Sequence, residues 1–289
     1  MRLPIHIVAV IVGLLALSGC STFKLAYSFA DNMVEDRAET YLDLNAEQRE
    51  RLTQQTTVLI AWHRTEMLPK YASFFSAQAD LAEAGGWTRA QLATAIGQFR
   101  TLIEQTVEGA SPLIAEVLVE HTSPQKLAHL EARVAENLAE RRTAEAAKTR
   151  QVSIDQWVKR RVDGVYRFTG PLTDAQIDII RGYAENGSGS AMRWFENREY
   201  RQNALVAFLR TRPKKTEIAE FVSQIILRAH EVVDPDYRTI IAARWALREA
   251  MYYDILAAIN DEQRRKLITS LRGYAADMIE LAGTKSPSL

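Results

Sequence analysis

LNAEQRERLTQQTTVLIAWHRTEM, residues 44–67, reads as an amphipathic helix that carries its own start signal. Asn45 and Gln48 have the spacing of a capping box. The first side chain accepts from an unbonded N–H of the opening turn, and the amide three residues on reaches back to the N–H of the cap. Leu44, just before the cap, suits an apolar staple across that turn. Leu52, Thr56, Leu59, Ile60, His63 and Met67 then recur at three- and four-residue steps, forming one stripe. Pro69 should bend or end the helix, because it lacks the N–H the ladder needs.

The same signature recurs along the chain at Thr88/Gln91, Thr122/Gln125, Ser153/Gln156, Thr173/Gln176 and Asn260/Gln263. Each predicts a helix start, with Pro124 tolerated in a first turn. Leu127, Leu130, Val134 and Leu138 begin a further stripe, which fades over 141–151. The last helix, from Asp261, should present Leu267, Ile268, Leu271, Tyr274, Ala275, Met278 and Ile279 on one face. No window alternates apolar and polar residues between turn dipeptides, so no sheet is expected. The expectation is an all-α, multi-helix bundle with several long helices. Composition agrees, with only 13 Gly and 8 Pro among 289 residues, and 47% hydrophobic residues exclude a disordered chain. Lys and Arg (36) balance Asp and Glu (36), so no bulk attraction to nucleic acid exists and no such partner is expected.

The N-terminus carries an address. Arg2 precedes a mostly apolar run over 5–17, too short for a comfortable span of about 20 residues. It ends in Leu17, Ser18, Gly19 and Cys20, which resembles the lipobox of bacterial lipoproteins. Small residues at 18 and 19 admit a peptidase, and a Cys20 thiol can carry a thioether-linked diacylglycerol. Two or more acyl chains anchor stably where one does not. Cys20 is the sole cysteine, which excludes an intramolecular disulfide, a Cys₄ zinc site and a CxxC centre. The expected organisation is a signal peptide over 1–19, a lipidated Cys and short tether over 20–30, and a helical periplasmic domain over 31–289. A subregion break is expected near 186–190, where Asn, Gly and Ser cluster. Ser21 stands where, by analogy with enteric-type sorting, Asp would retain the protein in the inner membrane. That resemblance implies the outer membrane, facing the periplasm.

Tyr41, Asp43, Leu44 and Gln48, then Trp62, His63 and Arg64, then Leu68, Pro69 and Tyr71 resemble a family of bacterial lipoproteins known as a domain of unknown function. Phe168 and Gly170 before Leu172, Thr173 and Gln176 extend the likeness over most of the mature chain. The resemblance implies the anchor and a helical fold, and brings no reaction, ligand or partner. The Leu-Thr-x-x-Gln pattern is also similar to that of small periplasmic chaperones.

The candidate sites are few. His63 and Arg64 sit on or beside the apolar stripe. His63 could be a general base or a hydrogen-bonded interior side chain. Arg244 and Arg248 lie one turn apart on an apolar, aromatic face and must be paired, with carboxylates of a neighbouring helix or with an anion such as a lipid headgroup. Trp194, Phe195 and Tyr200 interleave with Arg193, Arg198 and Arg201, an interface-like stretch. No nucleophile motif, phosphate-cradling loop or metal-ligand spacing occurs, so neither an enzyme nor a metal or cofactor is expected beyond covalent lipid at Cys20. The expected role is non-catalytic protein binding or scaffolding in the cell envelope, with an unidentified envelope partner and the membrane reached through the anchor. The alternatives are a client-binding chaperone, or an envelope enzyme or lipid handler using His63 or the Arg244/Arg248 pair.

Overall fold

The computed structural model describes residues 19–187, 191–232 and 235–283. Residues 1–18, the side chain of Cys20 and residues 188–190 lie outside the described residues. Among the described residues every regular element is helical and no strand occurs, the all-α bundle expected from the sequence. In chain order the helices are α1 (Gly19–Tyr27), α2 (Ala30–Tyr41), α3 (Ala46–Trp62), α4 (Leu68–Glu83), α5 (Arg89–Leu118), α6 (Pro124–Ala146) and α7 (Arg150–Thr169). Then follow α8 (Asp174–Gly187), α9 (Ala191–Arg210), α10 (Lys215–Leu227), the short α11 (Ala229–Val232), α12 (Tyr237–Ala257) and α13 (Asp261–Gly283). No helix among the described residues is long and apolar enough to cross a membrane.

Four of the six capping signatures do what their spacing says. Reciprocal bonds close the boxes at Asn45/Gln48, Thr88/Gln91, Thr173/Gln176 and Asn260/Gln263. The other two shift. Ser123, not Thr122, caps α6, because Pro124 takes the first helical position and fixes the register. Ser153 lies inside α7, which starts one turn earlier with Thr149 as its cap.

Two of these boxes interlock. The Gln176 amide donates to the Ala258 carbonyl (2.9 Å) and to Gln263 Oε1 (2.8 Å). The Gln263 amide donates to the Pro171 carbonyl (2.6 Å) and to Gln176 Oε1 (2.9 Å). Each side chain is buried, and each carbonyl oxygen also accepts from the N–H of its own cap. A glutamate could not donate here, which is the physical reason for Gln at both positions.

Pro69 neither ends nor sharply breaks the helical path. Residues His63–Met67 widen into a single π turn, in which Leu68 N–H donates to the His63 carbonyl. The wider turn relieves the clash of a proline ring with the carbonyl four residues back. Thr65 Oγ1 lies 3.2 Å from the Ala61 carbonyl and 3.3 Å from that of Trp62, giving the loosened turn a donor.

The buried side chains form four clusters. One gathers Leu42, Leu52, Leu118, Leu130, Leu209 and Val222 from α2–α3, α5, α6, α9 and α10. The other side of the molecule is built from α7, α8 and α12 around Ile154, Ile180 and Met251, and from α4 and α13 around Leu68, Ala79, Leu267 and Leu271. The clusters interleave along the chain; α8 stays helical to Gly187, and residues 188–190 of the expected break lie outside the described residues. On α13, Leu267, Leu271, Ala275 and Met278 are buried as expected, whereas Ile279 is exposed.

The segment 20–30 is no tether. It is helix α1 and the turn into α2, and α1 is docked. Phe23 meets Tyr274 edge to face (5.7 Å between ring centres). Lys24 Nζ donates to the Glu280 carboxylate at 2.8 and 2.9 Å. Helix α1 is thus clamped to the last helix.

Candidate anion-binding site

Helix α7 carries Trp157 and Arg161 one turn apart, and the Arg161 guanidinium lies 5.1 Å from the centre of the indole. Helix α12 presents Ile240, Arg244, Leu247, Arg248 and Met251 towards the same space. Helix α9 adds Trp194 and the buried Phe195, packed edge to face at 4.9 Å. Together they line a cavity of about 810 Å³, within the roughly 300–1,000 Å³ of small-molecule sites.

The charge of this lining is one-sided. Among the described residues it holds Arg150, Arg160, Arg161, Arg244 and Arg248 against a single carboxylate, Glu145. Glu145 is engaged by Lys148 at 2.7 Å. The expected carboxylate partner for Arg244 and Arg248 on a neighbouring helix is absent: among the described residues no ion pair holds either, or Arg161. Arg161 Nε is buried with no hydrogen-bond partner. Arg248 instead stacks on Trp245 (4.5 Å), whose ring also receives Arg100 from α5 (4.8 Å). Burial pushes the Arg248 guanidinium below its ordinary value, and the neighbouring cations Arg161 and Arg244 push the same way. A lysine in that position could shed its proton, but a guanidinium stays charged at neutral pH. Cation–π contact offsets a small part of the cost of burying it. Clustered, partly buried, unpaired guanidinium groups are satisfied by a multidentate anion, carboxylate or phosphate.

The structure brings Arg244, Arg248 and Trp194 together and leaves His63 and Arg64 elsewhere. His63 Nδ1 lies 2.8 Å from the Tyr27 hydroxyl and the two rings stack, 5.8 Å between centres. Arg64 covers the other partner, its guanidinium 5.5 Å from the Tyr27 ring. Burial lowers the His63 pKa and raises that of Tyr27, the latter opposed by Arg64. This cluster seats α1 and lines no part of the arginine cavity. Sequence reading missed Trp157 and Arg161. Their signal was available, an aromatic and a cation at the one-turn spacing that singled out Arg244 and Arg248. Among the described residues no group of three His, Cys, Asp or Glu could hold a metal ion.

A family model described as a family of unknown function matches residues 40–238. That span includes Trp157, Arg161 and Trp194 and stops short of Arg244 and Arg248. No curated protein and no solved structure matches the chain.

Proposed function

The chain belongs to that family, DUF6279, which brings no activity with it, and from this premise we propose a non-catalytic, lipid-anchored envelope protein that binds an anionic ligand in the arginine cavity. The ligand class is a phosphate- or carboxylate-bearing lipid headgroup with an apolar body for the indole walls. The observation that carries the reading is the set of unpaired guanidinium groups, Arg161, Arg244 and Arg248, around open space rather than filled packing. Closed packing there would have favoured pure scaffolding. The lipobox at Cys20 supports placing the protein on a membrane of the cell envelope, by sorting analogy the outer one. Binding without turnover fits the position of His63, the one candidate general base, which points at Tyr27 and not into the cavity.

Titration with short-chain phosphatidylglycerol and phosphatidylcholine, followed by tryptophan fluorescence, tests this reading. The expected result is saturable binding of the anionic lipid alone. Each charged hydrogen bond lost in Arg161→Gln/Arg248→Gln should weaken it about 10- to 100-fold, from about 1.5–3 kcal/mol per bond at about 1.4 kcal/mol per tenfold. Equal affinity for both lipids, or a folded double variant that binds like the wild type, would refute it.

A further inference from the structure

A second cavity, of about 830 Å³, lies beneath α2 and shares no lining residue with the arginine site. Its walls are leucine, isoleucine and valine side chains of α3, α5, α6, α9 and α10, closed on one side by Met33, Val34, Ala38 and Tyr41 of α2. So much apolar lining around open space forfeits contacts that a filled core would make. At one end the chemistry changes. Arg37 and Arg198 join the lining, and among the described residues neither has a carboxylate partner. Gln202 Oε1, also in the lining, is buried without a hydrogen-bond partner. Burial first and Arg141 next hold Arg198 below its ordinary pKa, with Arg37 acting the same way and the Tyr41 hydroxyl opposing them.

The wall that closes the cavity is held to its neighbours by hydrogen bonds from Thr53 to Glu35, from Arg49 to Glu39 and from Arg133 to the Thr40 carbonyl. No residue of α2 is buried, and non-helical backbone flanks it at Phe29 and Leu42. Leu25, Phe29 and Met33, spaced four apart across α1 and α2, are 61%, 55% and 67% exposed. Met33 belongs both to this exposed apolar row and to the cavity rim. The row sits on the segment that follows Cys20, so an apolar surface, a cavity opening and the attachment residue share one end of the chain.

We propose that this cavity holds the acyl chain of an anionic lipid, its head met by Arg37 and Arg198, admitted beside α2 from a bilayer on which Leu25, Phe29 and Met33 rest. Occupancy by the chain is independent of the arginine-site reading. Only the bilayer as its source rests on the Cys20 anchor. Laurate is the probe, with dodecanol as the same chain carrying an uncharged head.

Displacement of a dansyl-labelled fatty acid from the purified full chain should be saturable with both. Ala38→Trp, which fills the cavity from its α2 wall, should lose at least tenfold affinity for both. Arg37→Gln/Arg198→Gln should lose about tenfold for laurate and keep its affinity for dodecanol. Should the tryptophan variant fail to fold by circular dichroism, Ala38→Leu takes its place and should weaken both probes about threefold. No saturable displacement from the folded wild type, or a folded Ala38 variant that binds both probes unchanged, overturns the cavity assignment. Equal losses for the two probes in the arginine variant overturn the head assignment.

Discussion

Gln263 makes every hydrogen bond its amide allows, to the Asn260 N–H, the Pro171 carbonyl and both ends of the Gln176 amide. Removing it strands the Gln176 amide and the Pro171 carbonyl together and weakens the start of α13. A lost buried partner costs about 1–3 kcal/mol and a lost cap about 1 kcal/mol. Gln263→Ala should therefore lower the unfolding free energy in urea by about 2–4 kcal/mol. Gln263→Glu should be no milder, since it replaces a required donor with a buried charge. A loss within about 0.5 kcal/mol for the alanine variant, the size of an ordinary surface substitution, would show the amide pair to be incidental. The spacing of Thr173/Gln176 and Asn260/Gln263 made both helix starts legible in the sequence. Their meeting was not legible, because capping is local and the contact joins residues 87 apart.

At the scale of elements, α3 and α5 approach closely because Gly109 leaves room for Trp62. A methyl group at Gly109 would lie 2.0 Å from Trp62 Cζ2 and 2.3 Å from Cη2, so the ring must move. Gly to Ala in an exposed helix gains about 1 kcal/mol, whereas overpacking a tight contact costs about 1–3 kcal/mol. Gly109→Ala should therefore be destabilising on balance, and Trp62→Leu in the same chain should recover part of the loss. A net gain in melting temperature for Gly109→Ala alone would mean that Trp62 swings aside freely. Helix boundaries were read well where a cap and a stripe agreed, as at Asn45 and Asn260. They slipped at Ser153, where Thr149 offers an equivalent hydroxyl one turn earlier and the apolar stripe cannot choose between them. The π turn was not visible either. Pro69 announces a disturbance, but whether the helix ends or widens depends on Met67 and Leu68, just before it, both finding buried positions.

For the whole molecule, two histidines set a direction for stability against pH. Burial lowers the pKa of His63 and of His121 from the ordinary value of 6.5. The unfolded chain then binds protons that the folded one refuses, so stability is full above pH 6.5 and declines as pH falls from there towards the folded values. His63→Asn, which leaves His121 in place, should reduce the fall in melting temperature between about pH 7.5 and pH 5. An identical fall in the variant would place the effect elsewhere. The arginine cavity was half legible at this scale. The row on α12 is periodic and could be read, but its partners come from α7 and α9, and only the tertiary fold shows which helices converge.

The clamp of Lys24 on Glu280 joins residues 256 positions apart, so α1 gains that part of its seat only once α13 has been made, although Tyr27 can meet His63 much sooner. Contacts between such distant residues are slow to form, because the loop they close must be ordered first. Phe23 therefore stays bare to solvent until α13 brings Tyr274 to it.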